Sequence, residues 1–147
     1  MIIFKIIGLF AVFCVPCIFG LYKSYSLKKR SVKLKNLVIS LAKLSEYIRI
    51  EKTEKNRLFK RCFDSSLLNK DLSINGEYLL KEDSALLNEF LNNFGVGDRK
   101  NEYERTCVYI KLFERLAEKA ELETEKLCKL YSSLGVLTGL SICIFLI

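Results

Sequence analysis

The sequence predicts an all-α protein, a small cytoplasmic helical bundle between an N-terminal and a C-terminal transmembrane helix, with the last helix continuous into the membrane. Three observations carry that prediction. Apolar stretches stand at both ends, Met1 to Leu21 interrupted only by Lys5, and Leu130 to Ile147 without a charge. Between them, apolar residues recur at three- and four-residue steps, the period of a packed helix face. Gly and Pro are confined to a few joints and to the apolar ends. At 147 residues there is room for one soluble domain at most. The division is residues 1–22 as a first span, 23–129 as the bundle and 130–147 as a second span.

The first apolar stretch is long enough to cross a bilayer, at about 20 residues. A cleaved signal peptide has the same opening pattern, but no A-x-A-like site follows, so a retained helix is expected. Pro16 is expected to kink it or mark a thin point, and Lys5 to snorkel to the surface. Lys23, Lys28, Lys29, Arg30, Lys33 and Lys35 follow, with no acid before Glu46. The positive-inside rule then places Lys23 to Lys129 in the cytoplasm and both termini outside. The cluster reads as a topology signal with some contact to anionic lipid. Nucleic-acid binding is the alternative, and no aromatic platform or recognised motif accompanies the charges.

A long amphipathic helix is expected from Val32 to Ile50, with Leu34, Leu37, Val38, Leu41, Leu44 and Ile48 inward. A second runs from about Thr53 to Asn69, burying Leu58, Phe59, Cys62, Phe63 and Leu67. The stretch Asp71 to Glu82 is a connection. Asp83 opens a third helix with Leu86, Leu87, Phe90, Leu91 and Phe94 inward, and Gly95 ends it in the left-handed conformation that glycine adopts without strain. Gly95-Val96-Gly97-Asp98 is a tight joint. With no strand before it and no GK[ST] after it, it is a poor phosphate loop.

Asp98 is an N-cap candidate for the last helix, and Glu102 suits the positive end of its dipole. A seam of Ile110, Phe113, Ala117, Ala120, Thr124, Leu127, Tyr131 and Leu134 runs down this helix. Glu123 with Lys126 and Glu125 with Lys129 support its wet face. From Leu130 the chain is uncharged for about 27 Å of helix, just enough for a hydrocarbon core of roughly 30 Å. Gly135 and Gly139 form a GxxxG pair, extended by Cys143, where backbones can approach closely. The partner is either the first helix, through Gly8, Ala11 and Gly20, or a second copy of the chain.

Chemistry is sparse. The chain has no His, and 24 Lys+Arg against 17 Asp+Glu give +7. Between the apolar ends, 23 basic against 17 acidic residues leave +6, a balance suited to an anionic membrane surface or nucleic acid. Cys14-Val-Pro-Cys17 has the spacing of a thiol redox centre, but an apolar helix disfavours thiolates. Cys62, Cys107, Cys128 and Cys143 read as small buried hydrophobes. No metal or other cofactor is expected, since no pair in the soluble part has ligand spacing and His is absent. Glu118, Glu121 and Glu125 fall on one flank, either plain solubility or a docking surface for a basic partner.

Phe94-Gly95-Val96-Gly97-Asp98-Arg99, the long charged helix, and Lys129-Leu130-Tyr131-Ser132-Ser133-Leu134-Gly135-Val136-Leu137-Thr138-Gly139-Leu140 together resemble the stage III sporulation protein AB family. The likeness lies in that family's Leu-Gly…Asp turn and its terminal Lys-x-Tyr-x-Ser-Leu-Gly-x-Leu-x-Gly anchor. Glu102 stands where the family has Gln, and the chain is shorter between Asn56 and Asp83. The resemblance implies a non-enzymatic platform subunit of the export or channel complex joining mother cell and forespore. Its soluble part would be similar to the F-type platform domains of type II secretion and type IV pilus systems. It would sit in the mother-cell membrane around the forespore and contact a secretion-type ATPase, other channel subunits and membrane lipids, with self-association possible and no nucleic acid. Gly95, Gly97, Asp98, Arg99, Glu118, Glu121, Glu125, Gly135 and Gly139 are the interaction candidates. Two other readings stand beside it: a membrane thiol-disulfide oxidoreductase using Cys14 and Cys17, and a membrane-tethered helical sensor.

Overall fold

The computed structural model describes residues 2–50, 55–63, 67, 75–95 and 97–146; the side chains of 2–7, 9, 11, 55, 56 and 146 lie outside that description. Four helices make up the described chain: α1 (Ile2–Ile50), α2 (Lys55–Cys62), α3 (Lys81–Asn93) and α4 (Arg99–Leu146). No strand occurs among the described residues. The chain divides into two units, a hairpin of Met1–Lys29 with Glu121–Ile147 and a bundle of Arg30–Ala120.

Three boundaries differ from the sequence expectation. The first span and the Val32 to Ile50 helix are one helix, because no helix breaker stands between them and Lys and Arg are good helix formers. That helix also runs through Pro16 without ending. The third helix begins at Lys81, two residues before Asp83. Asp83 is instead the third helical residue, and its Oδ2 accepts the Leu80 N–H at 3.1 Å. Of the expected second helix, Lys55–Cys62 is helical and Phe63 bends away. Residues 53–54, 64–66 and 68–69, the connection's 71–74 and Val96 of the joint fall outside the described residues.

The bundle core is built from the expected faces. Leu34, Leu37, Leu41, Leu44 and Ile48 of α1, Leu58, Phe59 and Cys62 of α2, Phe63, Leu67, Leu87, Phe90, Phe94, Phe113, Ala117 and Ala120 are all buried. Val38, Leu86, Leu91 and Ile110 pack at its edge. Phe59 is the hub of the aromatic part, with ring centroids 4.9 Å from Phe94, 5.5 Å from Phe63 and 6.5 Å from Phe90. Such tilted and edge contacts add about 0.5–1.5 kcal/mol per pair beyond area burial. Tyr109, which the periodicity did not select, closes the cluster on Phe90 at 5.1 Å and donates its hydroxyl to Glu89 Oε1 at 3.1 Å.

In the hairpin, α1 and α4 run antiparallel, as the order of their contacts requires. Thr124 Oγ1 donates to the Leu27 carbonyl at 3.2 Å and the Cys128 thiol to the Ser24 carbonyl at 3.3 Å. Further along, Gly135 meets Pro16 and Cys17, and Gly139 meets Phe13. The seam of α4 therefore passes from Thr124 through Cys128, Tyr131, Gly135 and Gly139. Leu134, expected on it, is 47% exposed. The expected seam steps on to Leu134, whereas the close contact steps to Gly135, where no side chain holds the two backbones apart.

Candidate functional site

Close helix contact is the hairpin's main feature. A Cβ built on Gly20 would stand 2.6 Å from the Tyr131 carbonyl oxygen, and one on Gly135 would stand 2.8 Å from the Pro16 carbonyl oxygen. Both obstacles are backbone, which cannot rotate away. On Gly139 the nearest atoms belong to the Phe13 ring at 2.9 Å, with the Phe13 carbonyl at 3.2 Å. Of the two expected partners for the GxxxG pair, the first helix of the same chain occupies this face. Gly20 takes part, whereas Gly8 has nothing within 4 Å of its would-be Cβ, and the Ala11 side chain lies outside the described residues.

Cys14 and Cys17 are half-buried in α1, and no disulfide forms among the described residues. The Cys17 thiol points across to the Gly135 carbonyl at 3.8 Å. It belongs to the packing that Gly135 permits.

The joint between α3 and α4 brings together four of the candidates. Gly95 follows the C-cap Phe94 with φ 87°, the left-handed conformation expected of it. Asp98 immediately precedes α4 and accepts the Arg99 N–H at 2.8 Å. The Gly97 N–H donates to Glu102 Oε1 at 3.0 Å, so Glu102 folds back over the start of its own helix. Gly95, Gly97, Asp98 and Arg99 are exposed, while Glu102 is buried. Two arginines from the opening turns of α4 satisfy carbonyls at other helix ends. Arg99 Nε donates to the Ile48 carbonyl of α1 at 2.8 Å, and Arg105 to the Asn93 carbonyl of α3 at 2.8 Å. Orphan carbonyls at helix C-termini need such donors.

Glu118 is exposed on the bundle's part of α4; Glu121 is half-buried and Glu125 exposed on the hairpin's part. Their shared flank is a property of the helix register, and each unit holds its own portion.

Two cations of the basic stretch have a role that the sequence reading missed. Arg30 forms a two-pronged ion pair with Asp83, Nε to Oδ2 at 2.8 Å and Nη2 to Oδ1 at 3.2 Å. The Lys33 ammonium donates to the carbonyls of Asn75 and Glu77 at 2.7 and 2.8 Å, which fixes the connection against α1. Burial pushes its pKa below the ordinary value, and the Glu77 carboxylate pulls the other way. A signal existed: Leu34 and Leu37 face inward, so Arg30 and Lys33, each four residues before one of them, share their face.

The helices and contacts define an all-helical protein with a small bundle and an apolar, glycine-packed hairpin. Among the described residues one helix, Arg99–Phe145, is long and apolar enough to cross a membrane, and only 17% of its apolar window is buried within the protein. The family model described as stage III sporulation protein AB matches residues 65–147. The chain belongs to the stage III sporulation protein AB family. Its role is thereby in sporulation, and the apolar helix associates it with a membrane. No curated protein and no solved structure matches the chain.

Proposed function

We propose that this chain is a non-enzymatic membrane platform subunit of the complex that links mother cell and forespore, and that its bundle docks a secretion-type ATPase. The observation that carries the reading is that α1 and α4 each supply residues to both units. Gly20 and Gly135 close the hairpin, while Leu34 to Ile48 and Phe113 to Ala120 build the bundle core. An anchor and a folded module made from the same two helices suit a subunit that holds a partner at a membrane.

In this reading both long helices cross the mother-cell membrane around the forespore, with the bundle in the cytoplasm. Other channel subunits and membrane lipids are the remaining partners. The exposed turn Gly95 to Arg99 and the glutamates Glu118, Glu121 and Glu125 are the contact candidates. Self-association through Gly135 and Gly139 would first require α1 to leave that face.

The test is an in-frame deletion in the native spore-former, scored by microscopy. The platform role expects engulfment to finish and the forespore then to stay small and collapse. Spores that mature normally would overturn it. ATPase docking is checked separately by pull-down of the sporulation ATPase with the full chain in nanodiscs, where an empty pull-down counts against the docking partner.

A further inference from the structure

Within the bundle, α1 and α2 border an open groove of about 450 Å³. Among the described residues that line it the charge has one sign: Lys43 from α1 and Lys60 and Arg61 from α2. Lys43 and Lys60 are exposed and form no ion pair among the described residues. Ser40 also lines the groove, although the residue is only 6% exposed, and its hydroxyl makes no hydrogen bond among the described residues. The hydroxyl opens onto the groove, where water or a ligand group can pair with it. Ile39, 53% exposed, and the buried Phe63 give the same groove an apolar side. Lys43 and Arg61 both act on the buried Cys62 thiol in the groove wall, opposing the rise that burial causes.

We propose that this groove receives an acidic segment of a protein partner. A carboxylate side chain would lie among Lys43, Lys60 and Arg61 and accept the Ser40 hydroxyl proton, while an apolar neighbour covers Ile39 and Phe63. Charge complementarity selects the acid. The apolar side and a volume within the roughly 300–1,000 Å³ typical of sites for whole organic groups select a peptide over a lone anion. The surface is separate from the glutamates of α4 and takes a partner of opposite charge. The proposal rests on the reading of the bundle as a docking module, but not on the ATPase being the partner.

The test uses the full chain in phosphatidylcholine nanodiscs and a fluorescein-labelled peptide of alternating Glu and Leu, followed by anisotropy. The expected result is saturable binding that weakens with salt, about tenfold weaker binding in Lys43→Gln/Lys60→Gln, and about fivefold weaker binding in Ser40→Ala. A matched Gln/Leu peptide and inorganic phosphate should fail to compete. Unchanged affinity in a Lys43→Gln/Lys60→Gln protein of unaltered helicity and Tm would overturn the proposal. So would displacement by inorganic phosphate, or equal groove-dependent binding to phosphatidylglycerol vesicles, which would assign the cations to phosphate or lipid. An empty ATPase pull-down together with groove-dependent peptide binding removes the ATPase and supports this site. Capture of the ATPase with peptide binding insensitive to both lysines removes this site alone.

Discussion

Arg30 and Asp83 are 53 residues apart in the chain and meet as a buried, two-pronged ion pair whose side chains are only 7% and 1% exposed. Asp83 also holds the Leu80 amide, so one carboxylate starts α3 and ties it to α1. Charges this buried are costly, and the geometry offsets the cost only while both partners are present.

The first prediction follows from that asymmetry. Arg30→Ala or Asp83→Ala each leaves one buried charge alone and should destabilise the detergent-solubilised chain by about 3–5 kcal/mol. The double variant Arg30→Met/Asp83→Leu should recover most of the loss. Urea unfolding followed by far-UV circular dichroism checks this, and additive losses in the double variant would refute the coupling.

How far these features were legible depends on the kind of signal. The core faces were, because Leu34 to Ile48 in α1 and the set Leu87, Phe90 and Phe94 around α3 repeat with the helix period, which is a local property. Gly95 was legible for a local reason too, since α3 needs a left-handed residue after its C-cap. Arg30 and Lys33 were not, because their partners Asp83, Asn75 and Glu77 come from distant chain and a cation in a basic stretch reads first as solvated. The hairpin seam was half legible: Gly135 and Gly139 announced close approach, but only the fold could choose α1 as the partner and move Leu134 off the contact.

Glycine substitutions in the hairpin should follow the hardness of what each new Cβ meets. Gly20→Ala and Gly135→Ala face backbone oxygens at 2.6 and 2.8 Å and should be the most disruptive. Gly139→Ala meets first the edge of the Phe13 ring, which can shift by tenths of an ångström, and should be milder. Gly8→Ala has open space and should be neutral or slightly stabilising. Thermal unfolding in one detergent gives the order, and a Gly8→Ala loss equal to that of Gly20→Ala would contradict the packing.

Glu102 is the buried acid at the start of α4. Its Oε1 serves the Gly97 amide and lies 3.7 Å from Arg105, while Oε2 has no hydrogen-bond partner among the described residues. Glu102→Gln keeps an acceptor for Gly97 and removes the charge, so stability should stay within about 1 kcal/mol of the parent. Glu102→Ala loses the acceptor and should cost about 1–2 kcal/mol, as for a lost helix cap. Equal urea midpoints for the Ala and parent proteins would show that the Gly97 contact contributes nothing.

Alkaline pH should weaken the bundle through two groups. Burial pushes the Cys62 thiol above its ordinary 9.0, with Lys43 and Arg61 opposing. Burial, then the hydrogen bond to Glu89, push the Tyr109 hydroxyl above its ordinary 10.0. In each case the unfolded chain releases its proton first, so the native state binds more protons in the window between the two values. Their stabilisation is complete below the ordinary value and is lost as pH rises through the raised one. Lys33 has the opposite sign: its folded value lies below the ordinary 10.5, so stability gains as pH approaches 10.5 from below. The expectation is a urea midpoint that, from about pH 9 upward, falls in the parent protein relative to a variant without the two groups. In Cys62→Ala/Tyr109→Phe only the Lys33 contribution remains of the three, and the midpoint should hold or rise over the same range. An equal fall in both proteins would mean that neither group carries the pH dependence.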